Sequence, residues 1–317
     1  MLLNIIFLTA GLMILIYGAN LLVDGGAALA RRLEISPMVI GLTIVAFGTS
    51  APELVVNIVS SIKGSPALAL GNVMGSNIFN TLAILGITAL IVPLGVNKTT
   101  TRIEIPLAIF AAVLILIFVN GTPPGLITRT EGICLLCFFG VFLLYTFALA
   151  KYGGAGNGEE VKIKNHTIGK SLLFIGLGLA GLIAGGRLLV TGAVRIAQDS
   201  GISERIIGLT ILSIGTSLPE LATSVIAAYK KNADIAIGNV VGSNIFNIFL
   251  ILGTSAVITP LKAPEGSTTD LWVNIIASAL LFLFIFTGKG RKITRWEGGI
   301  LLTLYLGYLF LILNKTT

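Results

Sequence analysis

Long apolar stretches alternate with short polar breaks along the whole chain. Breaking the sequence at its charged, proline and glycine-rich stretches leaves ten runs of roughly the 17 to 25 residues that cross a hydrocarbon core. The pattern therefore predicts an all-α polytopic membrane protein with ten transmembrane helices. The predicted spans are 3–23, 37–60, 67–93, 104–121, 131–151, 169–190, 205–228, 235–259, 271–288 and 296–313.

The second half of the chain repeats the polar positions of the first. One copy reads GLTIVAFGTSAPEL from Gly41, followed by GNVMGSNIFN, and the other reads GLTILSIGTSLPEL from Gly208, followed by GNVVGSNIFN. Residues 18–93 match residues 185–260 at an offset of 167, without a gap. A duplicated polar cluster inside a duplicated apolar unit indicates a membrane transporter built from two repeats.

Each half has five predicted spans, and because five is odd the second half enters the membrane from the opposite side. The sequence thus predicts two inverted five-helix repeats, residues 1–152 and 168–317, joined by the polar linker 153–167. Lys and Arg of alternating loops number fourteen on the side of this linker and seven on the other. The more positive side is cytoplasmic, so we expect a multi-pass protein of the plasma membrane with both termini outside.

Composition agrees with a membrane protein. The 317 residues are 55% hydrophobic and 11% charged, with a mean hydropathy of +0.98, which leaves too little polar surface for a soluble globule. The charge of +7 comes from scattered Lys and Arg between apolar runs, so the expected partner is the lipid bilayer and not nucleic acid. Cys134 and Cys137 lie in one apolar run and are interpreted as packing residues. No cofactor is expected.

One glutamate stands in the middle of an apolar span in each copy, at Glu53 and Glu220. A charge at the centre of a membrane helix costs roughly 2.5 to 3.5 kcal/mol, and no Lys or Arg lies at a matching depth in the sequence. A structural hydrogen bond between helices is one reading of these carboxylates. We favour ion binding, because both copies carry the same surrounding oxygens.

Hydroxyl groups accompany each glutamate. Thr49 and Ser50 precede Glu53 by four and three residues, a spacing that places the three side chains on one helix face. The equivalent residues of the second copy are Thr216, Ser217 and Glu220.

A proline directly before each glutamate interrupts the helix. Pro52 and Pro219 lack an N–H group and clash with the carbonyl four residues back. Irregular backbone at membrane depth is tolerated where it lines a cavity. We therefore expect freed carbonyls around Ala46 and Ser213 to point at an ion.

The next span of each copy carries a polar stripe with a spacing of four residues. Every candidate ligand is an oxygen, which suits the hard cations Na⁺ and Ca²⁺ better than Mg²⁺, because Mg²⁺ gives up its waters reluctantly. Two carboxylates balance one Ca²⁺. The stripes are Asn72, Ser76 and Asn80 in the first copy and Asn239, Ser243 and Asn247 in the second.

The two copies of GTSxPEL with GNVxGSNIFN resemble the alpha repeats of the cation/calcium exchanger superfamily, and within it the prokaryotic type of sodium/calcium exchanger. The resemblance covers nearly the whole chain and implies that helices 2, 3, 7 and 8 enclose the ions. Asn247 stands where several sodium/calcium exchangers have an aspartate, so Na⁺ and H⁺ both stay open as the driving ion. The implied metal ligands are Glu53, Glu220, Thr49, Ser50, Thr216, Ser217, Ser76, Ser243, Asn80 and the carbonyls of Ala46 and Ser213, with Asn247 added from the stripe.

The resemblance implies an antiporter that exchanges Ca²⁺ for Na⁺ by alternating access, with helices 1 and 6 sliding over the core. An empty site with two carboxylates is costly to carry through the membrane, so reorientation should need bound cations. The alternatives are a proton/cation exchanger on the same fold and a cation channel. An enzyme is not expected, since the sequence has no HExxH or GxSxG motif.

Overall fold

The computed structural model describes residues 2–63, 66–152, 166–200, 213–264, 267–287 and 290–316. Apart from four two-residue strands, its regular structure is helical, so the predicted all-helical fold is confirmed. The α-helices are α1 (Leu2–Arg32), α2 (Pro37–Ile40), α3 (Ala46–Thr49), α4 (Ala51–Ile62), α5 (Pro66–Ile78), α6 (Leu85–Ile91), α7 (Ile105–Val119), α8 (Arg129–Tyr152), α9 (Ile168–Asp199), α10 (Ser213–Thr216), α11 (Leu218–Tyr229), α12 (Ala233–Phe246), α13 (Gly253–Ile258), α14 (Ser267–Thr287) and α15 (Arg295–Thr316).

Short π-helical turns continue several of these helices without a break. They are Gly41–Val45, Phe79–Ile84, Thr100–Glu104 and Asn247–Leu252. The strands are β1 (Leu94–Gly95), β2 (Leu126–Ile127), β3 (Leu261–Lys262) and β4 (Lys292–Ile293). Antiparallel pairing joins β1 to β4 and β2 to β3, so each pair connects the two halves of the chain.

The described residues contain eight helices that are long and apolar enough to cross a membrane, and one bent pair that adds a ninth span. The bent pair is Pro37–Thr49 with Ala51–Ile62, at an angle of 46°. The predicted span 205–228 begins outside the described residues, so the count of ten stays a prediction. The eight single spans are Leu3–Arg32, Ala69–Ile91, Thr100–Val119, Arg129–Tyr152, Ile168–Asp199, Ala233–Ile258, Ser267–Thr287 and Arg295–Asn314.

Helices α1 and α9 are longer than predicted, since they run on to Arg32 and Asp199 instead of ending near residues 23 and 190. The predicted end near residue 23 was wrong: Asp24 lies within α1, and its carboxylate pairs with Lys230 Nζ at 2.6 Å. At about 1.5 Å per residue, α1 is roughly 45 Å long and exceeds the hydrocarbon thickness of about 30 Å. Such a helix must tilt or project beyond the membrane core.

The two long helices pack against each other in antiparallel directions through glycines. A Cβ added at Gly11 would lie 2.5 Å from Leu189 N, and one at Gly18 would lie 2.7 Å from Leu182 N. The backbones therefore touch along most of the pair, as small residues allow in membrane helices. The glycines of this contact recur every seven residues and are Gly11, Gly18 and Gly25 on α1 and Gly178, Gly185 and Gly192 on α9.

The centre of the molecule is formed by the spans that follow the two GTSxPEL segments. In the most apolar 18-residue window of each span, 94% of the residues of Ala233–Ile258 and 78% of those of Ala69–Ile91 are buried within the protein, against 17% for Arg129–Tyr152. The apolar side chains of the outer helices are left for lipid. The duplicated motifs thus lie at the core.

Several contacts recur in both halves at offsets near 167 residues. Tyr145 donates its hydroxyl to Glu104, and Tyr308 donates to Asp270 Oδ1 at 2.8 Å. A Cβ added at Gly86 would lie 3.0 Å from Gly298 O, and a Cβ added at Gly132 would lie 2.9 Å from Gly253 O. The duplicated sequence therefore makes duplicated helix packing.

Candidate functional site

The helix break within each GTSxPEL segment falls on its serine. Ser50, with φ −81° and ψ 4°, separates α3 from α4, and Ser217, with φ −92° and ψ 8°, separates α10 from α11. The proline that follows stands in the first turn of a new helix, where a missing N–H is tolerated. The break places Glu53 and Glu220 in the first turns of α4 and α11, next to the positive end of the helix dipole.

The carbonyl of Ala46 is not freed by the proline, which corrects the sequence-based expectation. Ser50 N–H still donates to Ala46 O at 3.0 Å, because the helix ends only after this bond has closed. In the second copy, the Ser217 N–H donates to the Ile214 carbonyl at 3.1 Å. This carbonyl lies three residues back along the chain, one residue nearer than that of Ser213. The side chain of Ser213 lies outside the described part.

Each glutamate is hydrogen-bonded to the serine of the other copy. Ser217 Oγ donates to Glu53 Oε1 at 3.0 Å, and Ser50 Oγ donates to Glu220 Oε1 at 3.1 Å. Both carboxylates are buried, with 1% of each residue exposed. The spacing along the helix places Ser50 on the face of Glu53 in its own copy, but does not specify which carboxylate it contacts. The observed pairs are crossed, and they bring the two duplicated segments together at one site.

Ser76 and Ser243 belong to the predicted site and lie buried at it. Ser76 Oγ is 3.3 Å from Ser217 Oγ. Ser243 Oγ has no hydrogen-bond partner among the described residues. Both hydroxyls come from the central spans, and Ser76 reaches Glu53 through Ser217, which donates to that carboxylate.

Asn80 and Asn247 lie on π-helical turns, a local irregularity that is frequent at functional sites. Asn80 Nδ2 donates to Asn244 Oδ1 at 3.2 Å, and Asn247 Nδ2 donates to Asn77 Oδ1 at 2.9 Å. Because both amide nitrogens are used in this way, the side-chain oxygens of Asn80 and Asn247 are left as acceptors. These oxygens are buried and have no donor in the part of the chain that the structure describes.

Asn77 and Asn244 were missed by the sequence reasoning. Asn77 Nδ2 donates to the Asn244 carbonyl at 3.2 Å, and Asn244 Nδ2 donates to Thr81 Oγ1 at 2.8 Å. Their position three residues before Asn80 and Asn247, within the duplicated GSNIFN motif, was a signal that could have found them.

The polar residue Asn239 connects the first copy to the second. Thr49 Oγ1 lies 3.0 Å from Asn239 Oδ1, while Asn239 Nδ2 donates to Ser224 Oγ at 3.0 Å and to the Glu220 carbonyl at 3.2 Å. Thr49 is fully buried and Thr216 is half-buried at the end of α10. Asn239 thus acts as a structural support for Thr49 and Glu220.

The unpartnered oxygens of the site define its chemistry. A buried acceptor without a donor costs free energy unless a water or a cation satisfies it. No Lys or Arg pairs with either glutamate within the described ranges, and those ranges hold no group of three or more His, Cys, Asp or Glu that could bind a metal. The donor set is therefore two carboxylates with neutral oxygens. Its free acceptors are Glu53 Oε2, Glu220 Oε2, Asn80 Oδ1, Asn247 Oδ1 and Ser243 Oγ.

Broken helices around an oxygen-rich core, inside a bundle of membrane spans, define the class of membrane cation transporters. Comparison with known families places the chain within this class. The family described as "Sodium/calcium exchanger protein" matches residues 3–148 and 170–314, and the chain belongs to this family. The chain is thus an antiporter of the cation/Ca²⁺ exchange type. Its family is a family of transporters and not of enzymes.

Individual relatives cover nearly the whole chain. The sodium/calcium exchanger MaX1 of Methanosarcina acetivorans is 33% identical over 98% of this chain and 98% of its own. The inner membrane protein YrbG of Escherichia coli K12 is 36% identical over 96% of this chain and 94% of its own. A solved structure of the sodium-calcium exchanger NCX_Mj, soaked with 10 mM Na⁺ and zero Ca²⁺, has a TM-score of 0.81 and 35% identity, and covers 96% of this chain and 97% of that chain.

Proposed function

We propose that this protein exchanges Ca²⁺ for Na⁺ through one central site organised by Glu53 and Glu220. The observation that carries the proposal is the crossed pairing of each glutamate with the serine of the other copy. One oxygen of each carboxylate is satisfied by this pairing and the other is left for a cation. The names of MaX1 and NCX_Mj as sodium/calcium exchangers support the choice of ions.

The proposed ligands divide into charged and neutral oxygens. The two carboxylates balance one Ca²⁺, and the neutral oxygens complete the coordination of Ca²⁺ or hold Na⁺. The Ala46 carbonyl accepts from Ser50 N–H at 3.0 Å and lies 3.3 Å from Thr49 Oγ1, so it can offer its second lone pair when the Thr49 hydroxyl donates elsewhere. The neutral set consists of Thr49, Ser50, Thr216, Ser217, Ser76, Ser243, Asn80, Asn247 and the carbonyls of Ala46 and Ser213.

The proposed mechanism is alternating access. Two buried carboxylates without a cation are expensive to carry through a low-dielectric interior, so the empty site should not reorient. Ca²⁺ or Na⁺ neutralises them and permits the change, which makes exchange obligatory. The antiparallel pair of α1 and α9 is the proposed sliding element, because its glycine contact makes the two helices a unit.

We further propose that the chain has ten helices in two inverted repeats, residues 1–152 and 168–317, and lies in the plasma membrane with both termini outside. The antiparallel α1 and α9, the strand pairs between halves and the recurring tyrosine–carboxylate contacts support the repeats. The name of YrbG supports a cell membrane.

Ion flux into membrane vesicles tests the proposed function. Ca²⁺ uptake is measured with Na⁺, K⁺ and H⁺ gradients imposed one at a time, and we expect it to follow the Na⁺ gradient. Uptake that follows the H⁺ gradient instead would identify a proton/cation exchanger. This alternative stays open because position 247 has an asparagine and not an acid. Flux without any counter-ion would identify a channel.

The glutamate variants locate the flux at the proposed site. Glu53→Gln and Glu220→Gln each keep the side-chain shape and remove half of the negative charge of the site. We expect either variant to abolish Ca²⁺ transport while the purified protein stays folded. Transport close to wild type in either variant would refute the two-glutamate site.

A further inference from the structure

A polar stripe continues from Glu53 to the end of α4. Asn57 and Ser61 follow Glu53 at intervals of four residues, so the three side chains share one helix face. Asn57 is 0% exposed and Ser61 is 1% exposed. At about 1.5 Å per residue, the stripe extends roughly 12 Å from Glu53. It thus leads from the central site toward the membrane face at which α4 ends.

The oxygens of this stripe have no hydrogen-bond partner among the described residues. Asn57 Nδ2 donates to the Glu53 carbonyl at 2.7 Å, which leaves Asn57 Oδ1 without a donor. Ser61 Oγ is unpartnered as well. Buried polar atoms without a hydrogen-bond partner are rare in folded proteins. A bound water or an ion would satisfy these oxygens.

A third unpartnered oxygen lies on the neighbouring helix α13. Thr259 Oγ1, directly after α13, donates to the Ser61 carbonyl at 3.0 Å and so holds the two helix ends together. Ser255 precedes Thr259 by four residues and therefore lies one turn nearer the central site. Ser255 is 0% exposed, and its Oγ has no partner in the described part of the protein.

The equivalent positions of the second copy do not leave such oxygens. Ser224, the counterpart of Asn57, accepts from Asn239 Nδ2 at 3.0 Å, and Ala228, the counterpart of Ser61, has no polar side chain. Thr88, the counterpart of Ser255, donates to the Ile84 carbonyl at 2.6 Å. The equivalent positions of the second copy therefore lack this set, although one other buried hydroxyl of α11, Thr223 Oγ1, has no partner among the described residues.

We propose that Asn57, Ser61 and Ser255 form a transit site for a transported cation, between Glu53 and the membrane face at which α4 ends. The proposal rests on the exchange function proposed above. Neutral oxygens without a carboxylate suit Na⁺ better than Ca²⁺, which proteins bind with carboxylates. Because the side chains are buried, the structure describes this path in its closed form.

Side-specific transport kinetics test the transit site. In Ser61→Ala and Ser255→Ala, we expect the half-saturating Na⁺ concentration to rise about three- to tenfold, since each variant removes one neutral oxygen. The rise should occur when Na⁺ is presented at the face where α4 ends and not at the opposite face. Vesicles of both orientations provide the two measurements, and a general structural defect would change both.

Ser60→Ala serves as the control. It removes a neighbouring hydroxyl that is only partly buried, and it should leave both values unchanged.

Equal changes at the two faces, or unchanged values in both alanine variants, would overturn the transit site. If Ca²⁺ uptake by the wild type follows H⁺ and not Na⁺, the proposed Na⁺ coupling fails by itself. In that case the transit site is tested in the same vesicles by measuring the half-saturating Ca²⁺ concentration. We expect this concentration to rise in the two alanine variants, again only at the face where α4 ends. The two proposals therefore fail by different results.

Discussion

An asparagine can turn either its oxygen or its nitrogen toward an ion, and its hydrogen bonds decide which. At the central site, Asn77 and Asn244 accept the amide N–H groups of Asn247 and Asn80. The oxygens of Asn80 and Asn247 are thereby the free ends. Asn77 and Asn244 thus act through their neighbours, as positioning residues for two proposed ligands.

Replacing these positioning residues should weaken Ca²⁺ binding without removing any proposed ligand. In Asn77→Ala and Asn244→Ala, the amides of Asn247 and Asn80 lose their acceptors and become free to rotate. We expect the half-saturating Ca²⁺ concentration to rise about tenfold in each, which corresponds to the loss of roughly one hydrogen bond. Uptake at several Ca²⁺ concentrations measures this rise.

Asn120→Ala is the matched control, because Asn120 is exposed and donates only to the Leu116 carbonyl of its own helix, at 2.8 Å. Its Ca²⁺ dependence should equal that of the wild type. The assigned role would be wrong if Asn77→Ala and Asn244→Ala also bound Ca²⁺ as the wild type does.

Among the helices, the close contact of α1 and α9 has the strictest steric requirement. Their glycines recur every seven residues, and an added Cβ would come within 3 Å of the opposite backbone at most of these positions. Backbone cannot yield as a flexible side chain does, so the contact admits no larger residue without a shift of the whole helix. Asp24 of α1 also pairs with Lys230, which directly follows α11.

A single methyl group in this contact should destabilise the protein. The added Cβ of Gly185→Ala would lie 2.5 Å from Leu15 N, and we expect a loss of about 1 to 3 kcal/mol together with impaired transport. Gly176→Ala lies on the same helix, with nothing within 4 Å of the added Cβ, and it should be neutral. Thermal unfolding in detergent compares the two variants. Equal unfolding temperatures would contradict the packing argument.

For the whole molecule, the orientation in the membrane determines which ion gradient the site meets. The excess of Lys and Arg on the side of the linker 153–167 predicts that this side is cytoplasmic. Lys63, at the end of α4, belongs to the opposite side in the same count. The transit site proposed near this end would then serve the exterior.

Cysteine labelling in whole cells tests the orientation. In a background of Cys134→Ser and Cys137→Ser, Lys63→Cys should react with a membrane-impermeant thiol reagent, because Lys63 is exposed at the end of α4. Asn157→Cys, in the linker, should react only with a permeant reagent. The reverse pattern would show that the charge count assigned the wrong side.

Local pattern was sufficient for the features that depend on neighbours in the chain. Apolar runs located the spans that the structure describes, since a helix in lipid must satisfy its own backbone. The glutamates and the duplicated stripes were found because a buried charge stands out in an apolar run. The same local reasoning ended α1 too early, because it treated Asp24 as a polar break, whereas in the folded chain Asp24 lies within α1 and pairs with Lys230, far away in sequence.

Contacts across the molecule needed the folded chain. Helical spacing places Ser50 on the same face as Glu53, yet its hydroxyl donates to Glu220, 170 residues away. Asn77 was seen only as part of a motif until its contact with Asn247 appeared, again 170 residues away. Such pairs depend on how the two halves pack, because hydrophobic patterning specifies which face of a helix is buried but not which partner covers it. The sequence therefore determined which oxygens are candidates for the proposed site, while their pairing, and the oxygens left without a partner, came from the packing of one half against the other.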